Sequence, residues 1–336
     1  MRSSHLVKTL TALSLSASLL LLGACGDDAE PGKDSSAKPS AKPSASATPS
    51  PSKKAVKPSK DFDAVSVSGE YGKAPKVSVK KPWAIDKTRT KVLKKSDGDK
   101  IKKGTSVEVN YFAVNGRSGE KFDDSYSRGQ AVAFSLDQVV PGFSAGLVGQ
   151  SEGSRVLIAM PGKDGYDAQG GNPQAGIEVG DTLIFVVDDV GVTLDGPKGS
   201  EVKPAKGLPK VKDVKGVPEV TVPKSDPPGK LQIQPLIKGK GKKVAETDQI
   251  TFRYRWLTWS DGKVVEENYG QAPATYPLSG LLPGMQKGLK GQTVGSRVLL
   301  VVPPADGYPQ GNETPKVGKD ETLVLVVDLL FTQQGQ

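Results

Sequence analysis

Val139-Val140-Pro141-Gly142-Phe143, followed by Gly153-Ser154-Arg155-Val156-Leu157, returns 142 residues later as Leu281-Leu282-Pro283-Gly284-Met285 and Gly295-Ser296-Arg297-Val298-Leu299. In the first version Val140, Phe143 and Leu147 fall on one stripe at helical spacing, and Pro141 occupies a first-turn position, where its missing N–H is no loss. A short amphipathic helix is expected there. The recurrence extends outward on both sides. Asp164-Gly165-Tyr166 matches Asp306-Gly307-Tyr308 at 142 residues, Val109-Asn110-Tyr111 matches Phe252-Arg253-Tyr254 at 143, and Thr182-Leu183 to Val187-Asp188 matches Thr322-Leu323 to Val327-Asp328 at 140. A period this long means two globular copies in series, since solenoid units run only about 20–50 residues. The length of 336 residues suits two domains of roughly 150 each.

Within each copy the periodicity favours strands. Val107, Val109 and Tyr111 alternate with Glu108 and Asn110, as Ile250, Phe252, Tyr254 and Trp256 alternate with Thr251, Arg253 and Arg255, so one face is expected to be buried. Each copy therefore reads as α+β, an antiparallel sheet with one short helix packed on it. The first copy is expected to span 61–193 with a core of about 90–190, and the second 214–333 with a core of about 232–332. Residues 194–213 are read as a linker, because Asp195 to Gly229 holds seven prolines and no aromatic residue. Ala74-Pro75-Lys76-Val77 and Val217-Pro218-Glu219-Val220 also match at 143 residues, which gives each domain a short extended lead-in.

The scarce residues exclude whole classes of chemistry. The single His is His5 and the single Cys is Cys25. Everything downstream lacks the groups for Ser-His triads, thiol nucleophiles, structural zinc or disulfides. Gly142-Phe143-Ser144-Ala145-Gly146 spells a nucleophile elbow by letters alone, without a histidine to activate Ser144. Asp188 and Asp189, neighbours on a strand, point to opposite faces and form no metal site. Neither a metal nor a cofactor is expected.

Residues 1–24 carry Arg2, Lys8 and an apolar run from Leu10 to Leu22 without an acidic residue, the pattern of a secretory signal. Its end, Leu22-Gly23-Ala24-Cys25, resembles the bacterial lipobox, which implies lipidation at Cys25 and anchoring to the outer side of a membrane. The segment 25–60 follows as a tether, with 20 of the 35 residues from Gly26 to Lys60 being Ser, Ala or Pro. Removing the signal subtracts Arg2 and Lys8 from a net charge of +9, leaving +7. The Lys-rich stretches carry no interleaved aromatics, so nucleic acid is not an expected partner.

Gly119-Glu120-Lys121-Phe122-Asp123 after the strand ending in Tyr111, then Arg128, Phe134 and Val139-Val140-Pro141-Gly142-Phe143, then Gly165-Tyr166 and Thr182-Leu183-Ile184-Phe185, together resemble the FKBP-type peptidyl-prolyl cis/trans isomerase domain. The resemblance implies a curved antiparallel sheet wrapped on the helix, with an apolar pocket between them. It implies catalytic roles for Tyr111, Phe122, Asp123 and Tyr166. Substrate contacts carry over to Phe134, Val139, Val140, Phe143 and Phe185, although Phe134 and Phe185 would serve equally as core. Phe143 stands where the family usually has Trp. The implied partners are extended polypeptides containing X-Pro bonds, bound without a cofactor. A non-catalytic lipoprotein that holds peptides in both grooves is the alternative. The second copy departs from the pattern: Val265 and Glu266 replace the Phe-Asp pair, Met285 the pocket-floor aromatic and Leu325 the strand Phe. It is read as a weakened or inactive copy that has lost aromatic walls and the carboxylate.

Overall fold

The computed structural model describes residues 56–335; the signal, Cys25 and residues 26–55 of the tether lie outside the described residues. The end of the 25–60 tether is corrected, since Ser59 bridges Ile85 of the first domain through backbone bonds. Each copy is built on one antiparallel sheet. In the first, the strands run in the order Arg89–Lys94, Arg155–Met160, Leu183–Val192, Ser106–Asn115, Lys121–Asp124, with Val132–Ser135 also pairing with Ser106–Asn115. The second repeats this order with Gln232–Gly239, Arg297–Val302, Leu323–Gln334, Asp248–Thr258 and Val264–Glu267, and Ala274–Pro277 pairs with Asp248–Thr258. Among the described residues the only α-helices are Pro141–Leu147 and Pro283–Leu289, and neither is long and apolar enough to cross a membrane.

The glycines of the false nucleophile elbow have a packing role. A Cβ on Gly142 would fall 2.6 Å from the Cβ of Met160, and one on Gly146 would fall 2.6 Å from Ile158. Gly284 and Gly288 meet Val302 and Leu300 at 2.6 and 2.5 Å in the second copy. Without side chains at these positions, each helix lies directly on the central strand beneath it. Phe143 and Leu147 are then driven into the core.

The sheets are covered on their other face as well. In the first domain the hairpin of Val65–Ser68 and Lys76–Val79, with Phe62 and Trp83, packs on Val114, Leu157, Ile184 and Val186. In the second, the hairpin of Lys210–Val214 and Val217–Thr221 packs on Leu257, Leu299, Val324 and Val326. The alternation expected of a one-faced sheet survives in Ser106–Asn115 but disappears in Arg155–Met160, where all six residues are buried. A buried ion pair fastens each hairpin. Arg155 Nε donates to Asp188 at 2.6 Å, while its other nitrogens reach the carbonyls of Gly69 and Lys73. Arg297 bonds Asp328 at 2.6 Å and Asp213, on the second hairpin, at 2.7 Å.

The linker reading of 194–213 requires correction. Gly199–Glu201 pairs with the edge of Gln232–Gly239 as a further strand of the second sheet, and Leu208 and Val211 join the second outer core. The hairpin begins at Lys210, so a boundary at 214 divides it. Proline spacing concealed these elements. A three-residue strand held by backbone bonds alone leaves no side-chain pattern, and Pro218 sits inside a strand paired on only one side.

Candidate active site

In the first domain all nine groove residues named from the sequence surround one cavity of about 560 Å³ between the helix and the concave face of the sheet. The long strand Ser106–Asn115 brings in Tyr111, its hairpin partner Lys121–Asp124 brings Phe122 and Asp123, and Leu183–Val192 brings Phe185. The turn into the helix supplies Val139, Val140 and Phe143. Six aromatic rings line its walls. Phe143 meets Phe185 edge to face at 5.1 Å, Phe122 meets Phe185 at 5.6 Å, and Phe134 meets Phe143 at 5.9 Å. Phe134 and Phe185 serve both as core and as wall, so the two roles left open coincide.

One edge of the cavity is polar and fixed. The Tyr111 hydroxyl donates to Asp123 Oδ2, Arg128 donates to Asp123 Oδ1 at 2.7 Å and to the Tyr111 oxygen at 2.7 Å, and the Asp124 N–H caps Oδ1 at 2.8 Å. Burial pushes the Asp123 carboxyl up, but the Tyr111 and Arg128 hydrogen bonds outweigh it and hold the group below its ordinary value. Burial, reinforced by the bond to Asp123, raises Tyr111 to about 12. Arg128 entered the sequence reading only as part of a motif; its contacts make it the group that locks this edge.

The same cavity holds two donors without acceptors among the described residues. The Val140 N–H precedes the first helical turn and makes no intrachain bond, and the Tyr166 hydroxyl, half-buried in the same cavity, makes none either. Burial and the nearby negative Asp123 raise the Tyr166 pKa. The flap carrying Tyr166 is anchored at its far end by Asp181, which accepts from Arg117, Asn115 and the Glu178 N–H. Asp137, Gln138 and Gln169 complete the rim. Their polar, exposed character gave no signal in the sequence.

The second groove differs in a way the sequence reading only partly anticipated. Its cavity is about 200 Å³. Val265, Met285 and Leu325 do replace rings, but Trp256 and Phe252 project from Asp248–Thr258 where the first copy has Ala113 and Val109, so aromatic volume has moved onto that strand and fills the space. The expected loss of the carboxylate is also corrected: Tyr254 donates to Glu266 at 2.7 Å, the longer side chain reaching the same hydroxyl. No guanidinium joins that pair among the described residues. The Tyr308 hydroxyl, like that of Tyr166, has no partner there.

A shaped aromatic cavity with a fixed polar edge and two free donors can bind an apolar ring and its flanking carbonyls without nucleophile, metal or proton shuttle. The family model described as FKBP-type peptidyl-prolyl cis-trans isomerase matches residues 98–188 and again 240–330. A probable FK506-binding protein of Corynebacterium glutamicum is 30% identical over 115 residues, covering 34% of this chain and 96% of that protein. The isomerase FkpA of Escherichia coli K12 is 33% identical over 97 residues, 29% of this chain and 34% of FkpA, so the match spans about a third of that relative. The crystal structure of FkpA aligns with a TM-score of 0.29 at 31% identity, covering 31% of this chain and 47% of that one. Two family matches that together span more than half of the chain, on two copies of one fold, place it among the FKBP-type peptidyl-prolyl cis-trans isomerases.

Proposed function

We propose that the chain is an exported, lipid-anchored isomerase that assists folding of proteins outside the cytoplasm, with catalysis concentrated in its first domain. The observation that carries the assignment to the first domain is its cavity of about 560 Å³, against about 200 Å³ in the second, lined by the Tyr111-Asp123 pair that Arg128 locks, whereas no guanidinium joins the matching pair of the second groove among the described residues. An X-Pro bond turns over a barrier of about 20 kcal/mol because the twist breaks amide resonance. No bond is cleaved and no net proton moves. The first groove would seat the proline ring against Phe143, hold the flanking carbonyls with the two donors, and offer the rotating amide a dry, fixed environment in place of water. In the second groove Trp256 narrows the space, which favours holding a peptide over turning it.

Three titratable groups in the first groove are shifted away from neutrality. Asp123 is held low, Tyr111 is raised to about 12 and Tyr166 is raised. Asp123 therefore stays ionised and both tyrosines neutral, and kcat/KM should be flat from about pH 6 to 9 in an NMR exchange assay. A bell-shaped profile in that range would mean proton-transfer chemistry.

Paired changes in the full chain test the division of labour. Tyr166→Phe should lower kcat/KM by about fivefold, the loss of one hydrogen bond of roughly 1 kcal/mol. Phe122→Ala should cost about tenfold by opening the wall to water. Tyr308→Phe, the same change in the second groove, should leave turnover of X-Pro peptides within error. Equal losses from the two tyrosine variants would overturn the asymmetry.

The anchor rests on the lipobox-like end of the signal and the coincidence of the sole cysteine with it. Two acyl chains anchor stably where one does not. Cys25→Ser should move the protein out of the membrane fraction or stall its processing, and an unchanged N-terminal mass and fractionation would refute the anchor.

A further inference from the structure

We propose that Asp137 sets the charge preference of the first groove, favouring segments with Lys or Arg flanking the proline over those with Asp or Glu. This rests on the reading that the first groove turns X-Pro bonds. Asp137 lies on the turn between Val132–Ser135 and the helix, and its exposed carboxylate lines the same cavity as Asp123 and Val140. The charge of Asp123 is balanced locally, because Arg128 contacts it at 2.7 Å. No Lys or Arg nitrogen comes within ion-pair distance of Asp137 among the described residues; its carboxylate lies against Gly104, 3.4 Å from where a Cβ there would stand, and the neighbouring Lys103 does not pair with it. Gln138 and Gln169, the other polar groups on the rim, are neutral. Of the charged groups that line the cavity, Asp137 is therefore the one without an ion-pair partner among the described residues. Ser279 stands at the matching position of the second copy, so the fold does not require a carboxylate there.

A peptide seated with its proline ring between Phe143 and Tyr166 must carry its neighbouring side chains past this rim. One unit charge about 6 Å away in a water-like medium changes binding by roughly threefold, and attraction of one peptide with repulsion of its opposite multiplies the two effects. The contribution sits in the open and is screened by salt.

The test uses the full chain and blocked peptides Ala-Xaa-Pro-Xaa-Ala, with Xaa as Lys, Leu or Glu, followed by NMR exchange. Each rate is normalised to that of the Leu peptide in the same variant. At low salt the wild-type chain should turn the Lys peptide about fivefold or more faster than the Glu peptide. The ratio should approach one in Asp137→Asn and at about 0.5 M salt, and invert in Asp137→Lys. A ratio near one in the wild-type chain, or one that survives unchanged in Asp137→Asn, would overturn the proposal while leaving the isomerase reading intact. Failure to turn even the Leu peptide would overturn both.

Discussion

Arg155→Met should cost about 3–5 kcal/mol of stability, the penalty for leaving a buried carboxylate without its cation. The side chain of Arg155 is 3% exposed and that of Asp188 is 0% exposed. The guanidinium reaches the carboxylate through Nε at 2.6 Å and Nη2 at 2.8 Å, and it also holds the Gly69 and Lys73 carbonyls of the outer hairpin. Methionine fills similar space but satisfies none of these acceptors. Asp188 would keep the Gly72 N–H and the Tyr126 hydroxyl, which orient it without neutralising it. Urea melts should show the loss, and limited proteolysis should cut first between residues 65 and 79. The double variant Arg155→Met, Asp188→Leu should recover much of the stability, because replacing both charges removes the desolvation cost that breaking the pair exposes. A single-variant loss below about 1 kcal/mol would show that the hairpin is held by its apolar contacts alone.

Asp189→Leu should stabilise the first domain at pH 8 and lose that advantage at pH 4. Asp189 is fully buried, accepts from Ser154 Oγ at 3.0 Å, and leaves Oδ1 without any partner. Burial, with the negative Asp188 and Glu152 nearby, raises its pKa to about 7. The sign follows from which state holds the proton. Between the ordinary carboxyl value and about 7 the folded chain binds a proton that the unfolded chain has released, so stability is greatest at acid pH and declines as pH rises through that window. The rise from the ordinary carboxyl value to about 7 corresponds to about 4 kcal/mol, the upper limit of the gain expected at pH 8. Leu329 fills the matching position in the second sheet and is fully buried, which shows that the fold accepts an apolar side chain there. Denaturant melts of the wild type and the variant across pH 4 to 8 would give the two slopes; parallel curves would mean that water or a shifted backbone already solvates Asp189.

The features legible in the sequence were those with a period or a partner at fixed spacing. The repeat, the alternating strand around Tyr111 and the helix after Pro141 follow from residue pattern, and the groove residues cluster because strand pairing brings Tyr111, Asp123 and Phe185 to one concave face. Of the hairpins on the outer face only the second strand of each was legible, as the extended lead-in that recurs at Lys76-Val77 and Val217-Pro218-Glu219-Val220. They are short, proline-bearing and polar at alternate positions, and the central strands they cover simply read as more apolar. Alternation told that Trp256 points inward but not that it enters the groove, since period two fixes a face and not what lies opposite it. Likewise the exchange of Asp for Glu reads as a loss when positions are matched, yet one extra methylene lets Glu266 reach Tyr254.

The short strand Gly199–Glu201 has a consequence for how the second domain behaves in isolation. A fragment beginning at residue 214 would lack that strand, half of the outer hairpin and Asp213, the surface partner of Arg297. Ile237, Lys238 and Gly239 would then lose their ladder partners, which lengthens the open edge of Gln232–Gly239 that already carries the exposed Ile233 and leaves it more open to pairing with another copy of itself. Residues that lie between the domains in sequence thus cover one end of an otherwise open edge. A piece cut at 214 is expected to self-associate more readily than one cut at 194.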